Sequence, residues 1–194
     1  MKLQDLTLKE FLEKTASNEP LPGGGCSSAL IAAIAAALIE MVANLTIGRK
    51  KYADVEERMK CIAKIMSDNR AHFMNDIDRD AVAYRLVMDA YSLPKNSEEE
   101  ILLRKKKIQH ATRIASIVPM ELAQRAFSLL DIMDEALQIG NVNAFTDGKV
   151  GLLACRLAIK GALLNVRTNL ESIEDKEFVA YMTEICMHIE SKTI

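Results

Sequence analysis

The sequence predicts an all-α protein, a bundle of long helices in a single domain over residues 1–194. Its 194 residues include only eight glycines and four prolines, so few positions interrupt a helix. Apolar residues recur at spacings of three and four along most of the chain, and no segment alternates apolar and polar residues as a half-buried strand does. The length fits one domain, and no repeat or linker divides it.

Local signals place the first two helices. Thr7 and Glu10 have the spacing of a capping box, which predicts a short helix over residues 7–16. A loop then leads into three glycines, and a second helix follows over residues 24–47. Seven alanines in the middle of this helix allow its neighbours to approach closely on all sides. We therefore expect the second helix to lie at the centre of the bundle.

A sustained apolar stripe predicts a third helix of close to forty residues. The helix begins near Asp54 and ends before Leu93 and Pro94. Its apolar positions follow one another at spacings of three, four and once seven: Val55, Met59, Ile62, Met66, Phe73, Ile77, Ala81, Tyr84, Met88 and Tyr91.

Three further helices complete the predicted bundle. Ser97 caps the fourth helix, which ends at Gly140. We expect this helix to kink or restart at Pro119, because proline has no N–H to donate. A fifth helix is predicted over residues 146–169 and a last one over residues 173–191.

Composition and charge exclude several classes of protein. A net charge of −2 and a pI of about 6.0 exclude a broadly basic nucleic-acid binder, and an apolar fraction of 49% excludes intrinsic disorder. The longest uncharged apolar run, residues 29–39, is too short to span a bilayer. Residues 1–12 carry no signal-peptide core. We therefore expect a cytoplasmic protein that binds neither nucleic acid nor membrane.

The spacing of cysteines and histidines predicts no metal site. The three histidines lie far apart in the sequence, and the cysteines match no zinc or redox pattern. We expect all four cysteines to be buried, reduced thiols: Cys26, Cys61, Cys155 and Cys186.

The first candidate for chemistry is Asp80. On a helical wheel it falls inside the apolar stripe, beside Phe73 and Tyr84. A buried carboxylate without a partner costs several kcal/mol. Asp80 is therefore either a structural acid paired with an arginine from another helix or a functional group.

The second candidate is the run of Gly23, Gly24 and Gly25 immediately before a helix. Backbone N–H groups at a helix start can hold an anion, and glycine lets a ligand approach closely. The alternative is a tight turn with close helix packing. The run matches neither a P-loop nor a dinucleotide-binding fingerprint.

The third candidate region is the fifth helix. Asp147 stands at its start, where it serves either as a helix cap or as a second acidic group. Asn165 and Arg167 are polar residues near the other end of this otherwise apolar helix.

A set of short motifs, in order along nearly the whole chain, carries a family resemblance. The motifs are LPGGG (21–25), MVANLT (41–46), KKY (50–52), DA (80–81), Val87, Ala90, LPK (93–95), Pro119, Ala123, GN (140–141), TD (146–147), GA (161–162), NVR (165–167) and NL (169–170). On these motifs the chain resembles the formiminotetrahydrofolate cyclodeaminase / methenyltetrahydrofolate cyclohydrolase family.

The resemblance implies a cytoplasmic, all-helical homodimer that acts on a tetrahydrofolate derivative, with no metal and no tightly bound cofactor. Asp80 matches the family's aspartate and is expected to be the catalytic acid–base group, with Asp147 second. Substrate binding is expected from Gly23, Gly24, Gly25, Asn44, Lys50, Lys51, Asn165 and Arg167, and among these Lys50, Lys51 and Arg167 would meet the anionic glutamate tail.

The resemblance leaves three activities open. A cyclodeaminase would convert 5-formiminotetrahydrofolate to 5,10-methenyltetrahydrofolate and release ammonia, which is the activity we favour. A cyclohydrolase would add water to the methenyl carbon, and the third alternative is a non-catalytic folate-binding dimer.

Two positions depart from the family pattern: Cys26 stands where serine is usual, and Lys149 places a charge that we expect beside the cleft.

Overall fold

The computed structural model describes residues 2–193, which form seven α-helices and three short 3₁₀ helices. The α-helices are α1 (Leu8–Thr15), α2 (Gly24–Thr46), α3 (Glu56–Ser92), α4 (Glu98–Ser128), α5 (Leu130–Ile139), α6 (Phe145–Leu170) and α7 (Lys176–Thr193). The 3₁₀ helices are Leu3–Asp5, Lys50–Val55 and Val142–Ala144. Residues 2–193 contain no strand, which confirms the all-α prediction.

Capping residues predicted the helix starts well. The Thr7 hydroxyl accepts a hydrogen bond from the Glu10 N–H at 3.2 Å, and the Glu10 carboxylate accepts one from the Thr7 N–H at 2.8 Å. Ser97 accepts from the N–H of Glu100 at 3.3 Å at the start of α4. The prediction of one very long third helix is also confirmed, because α3 runs without a break for 37 residues.

The alanine-rich helix α2 lies at the centre of the bundle, as predicted, and packs against α3 and α6. It runs antiparallel to α6 at very short separation. A Cβ built on Gly151 of α6 would lie 3.0 Å from the Cβ of Leu38, and one built on Gly161 would lie 2.5 Å from the hydroxyl of Ser28. Small residues on both helices therefore allow their backbones to approach closely.

The sequence predicts a kink or a restart at Pro119, and of these two the restart does not occur. The helix α4 continues through Pro119 to Ser128, and the chain restarts as α5 only after Leu129. Proline leaves the carbonyl of Ala115, four residues earlier, without a helical donor. That carbonyl instead accepts a hydrogen bond from Nδ2 of Asn169 at 2.8 Å. A side chain from α6 thus replaces the missing backbone donor.

Three of the four cysteines are buried, as predicted, but Cys61 is exposed. The buried side of α3 near this point carries Met59 and Ile62. Cys61 is two residues after Met59 and so points away from that side of the helix.

Several large apolar side chains of α2 and α6 are exposed, and we call the surface that they form the α2/α6 face. Leu153, Leu157 and Leu164 of α6 are 64%, 57% and 66% exposed, and Ile34 of α2 is 45% exposed. By length and composition α2 is long and apolar enough to cross a membrane, and no other helix within residues 2–193 is. Over half of its most apolar stretch is buried against other helices, and the core helix of a soluble protein passes the same test.

Candidate active site

A cleft of about 250 Å³ opens where the start of α2 meets the middle of α3 and the facing parts of α4 and α6. Its walls combine predicted site residues with apolar side chains. The lining residues are Pro20, Leu21, Gly23, Gly24, Gly25, Asp80, Ala83, Tyr84, Val87, Ala115, Asn165 and Asn169. The structure thus brings together the glycine run, Asp80 and Asn165, which lie far apart in the sequence.

The carboxyl group of Asp80 lies directly against the backbone of Gly25. A Cβ built on Gly25 would overlap the carboxyl group, with Oδ2 at 2.5 Å and the other two atoms closer still. Within residues 2–193, Gly48 alone has a positive φ. The glycine is therefore needed for the close approach of the Asp80 carboxylate, and not for an unusual backbone conformation.

Asp80 is placed at the N-terminal end of α2, where backbone N–H groups lack helical partners. The thiol of Cys26 donates to Oδ2 of Asp80 at 3.1 Å. Burial raises the pKa of Asp80 and the nearby charge of Asp76 adds to the rise, while the thiol and backbone N–H of Cys26 oppose it; the net pKa is raised. No cation within residues 2–193 forms a salt bridge with Asp80. Asp80 is therefore not a structural acid paired with an arginine.

Sequence reasoning missed a second acid one turn earlier, Asp76. Its side chain is only 5% exposed, and it accepts a hydrogen bond from Nη1 of Arg79 at 2.7 Å. Arg79 also pairs with Glu121 of α4. Asp76 is therefore the structural, arginine-paired acid of this region. Its spacing of four residues from Asp80, which puts both on one side of α3, was the available signal.

Cys26 is fully buried, and its pKa is raised to about 12, chiefly by burial and then by the charge of Asp80. A helix N-terminus lowers the pKa of a thiol, but here burial outweighs it. The thiol stays protonated and serves as a hydrogen-bond donor to the carboxylate.

The carboxamides of Asn165 and Asn169 both line the cleft, because residues four apart share one side of a helix. Asn169 was not among our predicted site residues, although this spacing could have identified it. Arg167, in contrast, points to the other side of α6. There it donates to Glu190 of α7 at 2.6 Å and 3.1 Å, so it does not line the cleft.

The remaining predicted site residues lie at the opposite end of α2. Asn44, Lys50, Lys51 and Asp147 are all exposed there. Gly148 packs on Val42, and Val42 is 17 residues beyond Gly25 in α2, which corresponds to about 25 Å along the helix axis. Within one chain these residues are therefore remote from Asp80.

The expectation that Lys149 lies beside the cleft is wrong for the single chain. Lys149 follows Gly148, at the end of α6 that is far from the cleft, and its ammonium lies 5.4 Å from the ring centre of Phe145. Because α6 runs antiparallel to α2, its first turn meets the last turns of α2 and its last turns meet the glycine run.

Two other features of the described residues lack the properties of the Asp80 cleft. Within residues 2–193 no three His, Cys, Asp or Glu side chains are grouped so that they could hold a metal ion. A larger cleft of about 470 Å³ lies between α4 and α7, but its ionisable residues, Glu184 and His188, are exposed. Asp80 combines burial, an uncompensated charge and an adjoining cavity.

Comparison with known proteins identifies the family of the chain. The family model described as formiminotransferase-cyclodeaminase matches residues 7–188. A methenyltetrahydrofolate cyclohydrolase of Methylorubrum extorquens is 37% identical over 172 residues, which is 89% of this chain and 83% of that protein. The formimidoyltransferase-cyclodeaminase of Rattus norvegicus is 32% identical over 91% of this chain, which spans only 32% of the rat protein.

A solved structure matches the fold over almost the whole chain. The crystal structure of formiminotetrahydrofolate cyclodeaminase from Thermotoga maritima aligns with a TM-score of 0.87 and 32% identity, and the match covers 99% of this chain and 92% of that one. The family model, the relatives and the shared fold together show that the chain belongs to the formiminotransferase-cyclodeaminase family.

Proposed function

We propose that the protein is a folate one-carbon enzyme that converts 5-formiminotetrahydrofolate to 5,10-methenyltetrahydrofolate and releases ammonia. The observation that carries this proposal is the Asp80 carboxyl group. This group is partly buried, its pKa is raised, and it opens to a cleft. No cation within the described residues pairs with it. Relatives named as cyclodeaminase and as methenyltetrahydrofolate cyclohydrolase support the choice of substrate class.

The cyclisation needs a base for the N10 proton and an acid for the departing ammonia, and one carboxyl group can serve as both. In the reaction, N10 attacks the formimino carbon of the protonated substrate, and a bond from N10 to that carbon forms. The Asp80 carboxylate takes the proton from N10 and passes it to the amino group on the same carbon. The bond from carbon to that nitrogen then breaks, ammonia leaves, and the methenyl cation remains.

The surroundings of Asp80 suit this role. Burial raises the pKa of Asp80 towards the pH at which the enzyme works, which helps a carboxyl group exchange protons in both directions. Its ionised form, left at the end of the reaction, would stabilise the cationic product electrostatically. The cleft of about 250 Å³ is of a size for the reacting ring system, with the glutamate tail extending outside it.

A second candidate activity is the cyclohydrolase reaction. It is favoured by the 37% identity to a protein with that name, over 83% of its length. The same carboxylate would accept a proton as water adds to the methenyl carbon, and would pass that proton to N5 as the bond from the carbon to N5 breaks. The new hydroxyl group loses its proton to solvent as the formyl group forms. Both reactions take place at one carbon and could use one site.

A paired assay distinguishes these activities. Purified protein is given 5-formiminotetrahydrofolate while methenyl absorbance and ammonia are followed together, and is then given methenyltetrahydrofolate while its loss is followed. Methenyl formation with ammonia, faster than uncatalysed cyclisation, establishes the cyclodeaminase. Accelerated methenyl loss without ammonia from the first substrate identifies a cyclohydrolase. Folate binding with no turnover of either substrate leaves the non-catalytic dimer.

The role of Asp80 is tested by Asp80→Asn. We expect the chemical step to slow by about 10²- to 10⁴-fold, the usual contribution of a general acid–base group. Asp89→Asn is the matched control, because Asp89 is an exposed carboxylate on the same helix. Turnover by Asp80→Asn within threefold of the wild-type rate would remove Asp80 from the mechanism.

We also propose that the protein is a homodimer formed through the α2/α6 face. Its leucines expose apolar area that a second copy would cover. In the same region Nε of Arg156 is buried and has no hydrogen-bond partner among the described residues. Light scattering should therefore report a dimer that Leu153→Glu converts to a monomer. Leu103→Glu, at an exposed position of α4, should leave the dimer intact.

The orientation of the two copies follows from charge. Arg49, Lys50, Lys51 and Lys149, which we call the basic end, make no salt bridge within residues 2–193. A parallel pairing of the copies would put two basic ends together. An antiparallel pairing separates them and brings each basic end towards the Asp80 cleft of the other copy. There the lysines could bind the glutamate tail of folate, and Asn44 and Asp147 would lie near the cleft mouth.

Subunit mixing tests this arrangement. Asp80→Asn protein and protein carrying Lys50→Ala with Lys51→Ala are assayed separately and after exchange of subunits. If the lysines act across the dimer, half of the mixed dimers are heterodimers with one intact site, so activity at low folate concentration recovers to about one quarter of wild type. If the lysines act within their own chain, no site is intact and no recovery occurs.

We further propose that the reaction needs neither a metal nor a tightly bound cofactor and takes place in the cytoplasm, as the family resemblance implies. Dialysis against a chelator should leave kcat unchanged. A loss of activity that added divalent metal restores would contradict this part of the proposal.

A further inference from the structure

Pro119 is an unusual residue for its position. It is buried in the interior of the 31-residue helix α4, where proline removes a backbone hydrogen bond and is strongly disfavoured. The carbonyl that loses its donor belongs to Ala115, and Ala115 is one of the residues of the Asp80 cleft. Pro119 therefore changes the hydrogen bonding of a residue that lines the proposed active site.

The freed carbonyl has one side-chain partner, Asn169. Its Nδ2 donates to the oxygen of Ala115 at 2.8 Å, across the contact between α4 and α6. Asn169 also lines the cleft. Its side chain makes no other hydrogen bond within residues 2–193, so one amide hydrogen and the acceptor Oδ1 remain available.

A carboxamide held by one N–H has a defined orientation. Asparagine can otherwise rotate and exchange its donor and acceptor positions, and a free side chain must be ordered when a ligand binds. With Nδ2 fixed on the Ala115 carbonyl, Oδ1 is held as an acceptor. In a regular helix the N–H of residue 119 would also bond to this carbonyl, and Asn169 would then share the oxygen with a second donor.

We infer that Asn169 binds the substrate in the Asp80 cleft by accepting a hydrogen bond from an N–H of the pterin ring, and that Pro119 is a positioning residue that keeps the Ala115 carbonyl free to orient it. The substrate part of this inference rests on the proposed function. The positioning part concerns only Pro119, Ala115 and Asn169.

Kinetics test the substrate part. Asn169→Ala should raise KM about 3- to 10-fold, as expected for one hydrogen bond, with kcat within about twofold. Pro119→Ala should raise KM by less, while its Tm equals or exceeds that of wild type because the helix regains a hydrogen bond. A purely structural proline would not weaken substrate binding in a protein of undiminished stability. Ile117→Ala, at an exposed position near Pro119, is the control and should leave KM unchanged.

The double variant tests whether Pro119 acts through Asn169. Pro119→Ala added to Asn169→Ala should raise KM no further, because the residue that the proline positions is already absent. An additional rise equal to that of Pro119→Ala alone would overturn the inference. So would a Pro119→Ala protein with reduced Tm and unchanged KM.

The positioning part can be measured without turnover. In ¹⁵N NMR spectra the Nδ2 hydrogens of Asn169 should include one that exchanges slowly in the wild type and rapidly in Pro119→Ala. If neither folate is a substrate but this difference is seen, the proposed function fails and the positioning stands. If turnover is normal and no difference is seen, the positioning role of Pro119 is refuted.

Discussion

Substitution of Gly25 by alanine is the sharpest structural test of the Asp80 site. The Cβ of alanine would lie 2.5 Å from Oδ2 of Asp80, whereas ordinary contacts of a Cβ begin at 3.4 Å. The carboxyl group must therefore retreat by at least about 0.9 Å, and further for its two nearer atoms. Gly25 is part of α2, so its own backbone has little freedom to move instead.

A displacement of this size has unequal effects on activity and stability. Misplacement of a catalytic group by about 1 Å can cost on the order of 10²-fold in rate. Overpacking costs about 1–3 kcal/mol, and the higher helix propensity of alanine returns up to about 1 kcal/mol. For a chain of this length the net loss lowers Tm by at most about 12 °C. We therefore expect a folded protein with kcat reduced about 100-fold.

The assay compares Gly25→Ala with Gly24→Ala. A Cβ on Gly24 would lie 3.4 Å from Nδ2 of Asn165, which is ordinary contact. Gly24→Ala should keep kcat within about threefold and a Tm at or above that of wild type, although its position in the cleft can raise KM. The single-turnover rate is measured with Tm for both variants. A Gly25→Ala protein with kcat within threefold of wild type would falsify the placement of Asp80.

Three further predictions concern charge. Because the pKa of Asp80 is raised, the acidic limb of the pH–rate profile should lie above the usual aspartate range. The variant Cys26→Ser should move that limb to lower pH, because a hydroxyl group stabilises the ionised carboxylate better than a thiol does. An unmoved limb would mean that another group titrates. The stability that protonated Asp80 contributes is present below the pKa of Asp80 in the unfolded chain and is lost as the pH rises through its raised pKa in the folded protein. Asp80→Asn should therefore have a higher Tm than wild type at pH 7, with the difference shrinking below about pH 4. Equal Tm values at pH 7 would contradict this. Arg79→Ala leaves the buried carboxylate of Asp76 unpaired and should lower the free energy of unfolding, measured in urea, by about 1–3 kcal/mol. This is less than the loss for a fully buried pair, because Arg79 is half-exposed. A loss below about 0.5 kcal/mol would count against a structural role.

Much of the fold was predictable because its signals are local. The capping box of Thr7 and Glu10 and the Ser97 cap act within one helical turn, so the sequence alone places those helix starts. The α3 stripe was equally readable, because a repeat of three and four residues has one structural meaning over so long a segment. Pro119 could not be interpreted from local signals alone. The N–H group that it lacks is replaced, at the carbonyl of Ala115, by the side chain of Asn169, which lies fifty residues later on another helix.

The site was predictable only in part. The helical wheel placed Asp80 on the inner side of α3, yet it could not distinguish a paired acid from a free one. The residue that is paired is Asp76, through Arg79 on its own helix. The resemblance predicts Arg167 as a substrate-binding residue along with Asn165, but a separation of two residues puts Arg167 on the other side of α6, where it donates to Glu190.

By itself, the sequence determined the helical class, most helix boundaries, the family and the position of Asp80 on the inner side of α3. Periodicity and capping act within one segment at a time, and the order of the family motifs can be read along the chain without knowledge of which residues are in contact. The tertiary structure alone decided that Gly25 makes room for the Asp80 carboxylate, and that no cation within residues 2–193 pairs with it. It also placed the start of α6, with Asp147, near Val42, which lies about 25 Å from Gly25 along the α2 axis. Those facts depend on contacts between residues tens of positions apart, and helix packing sets such distances where no local rule does.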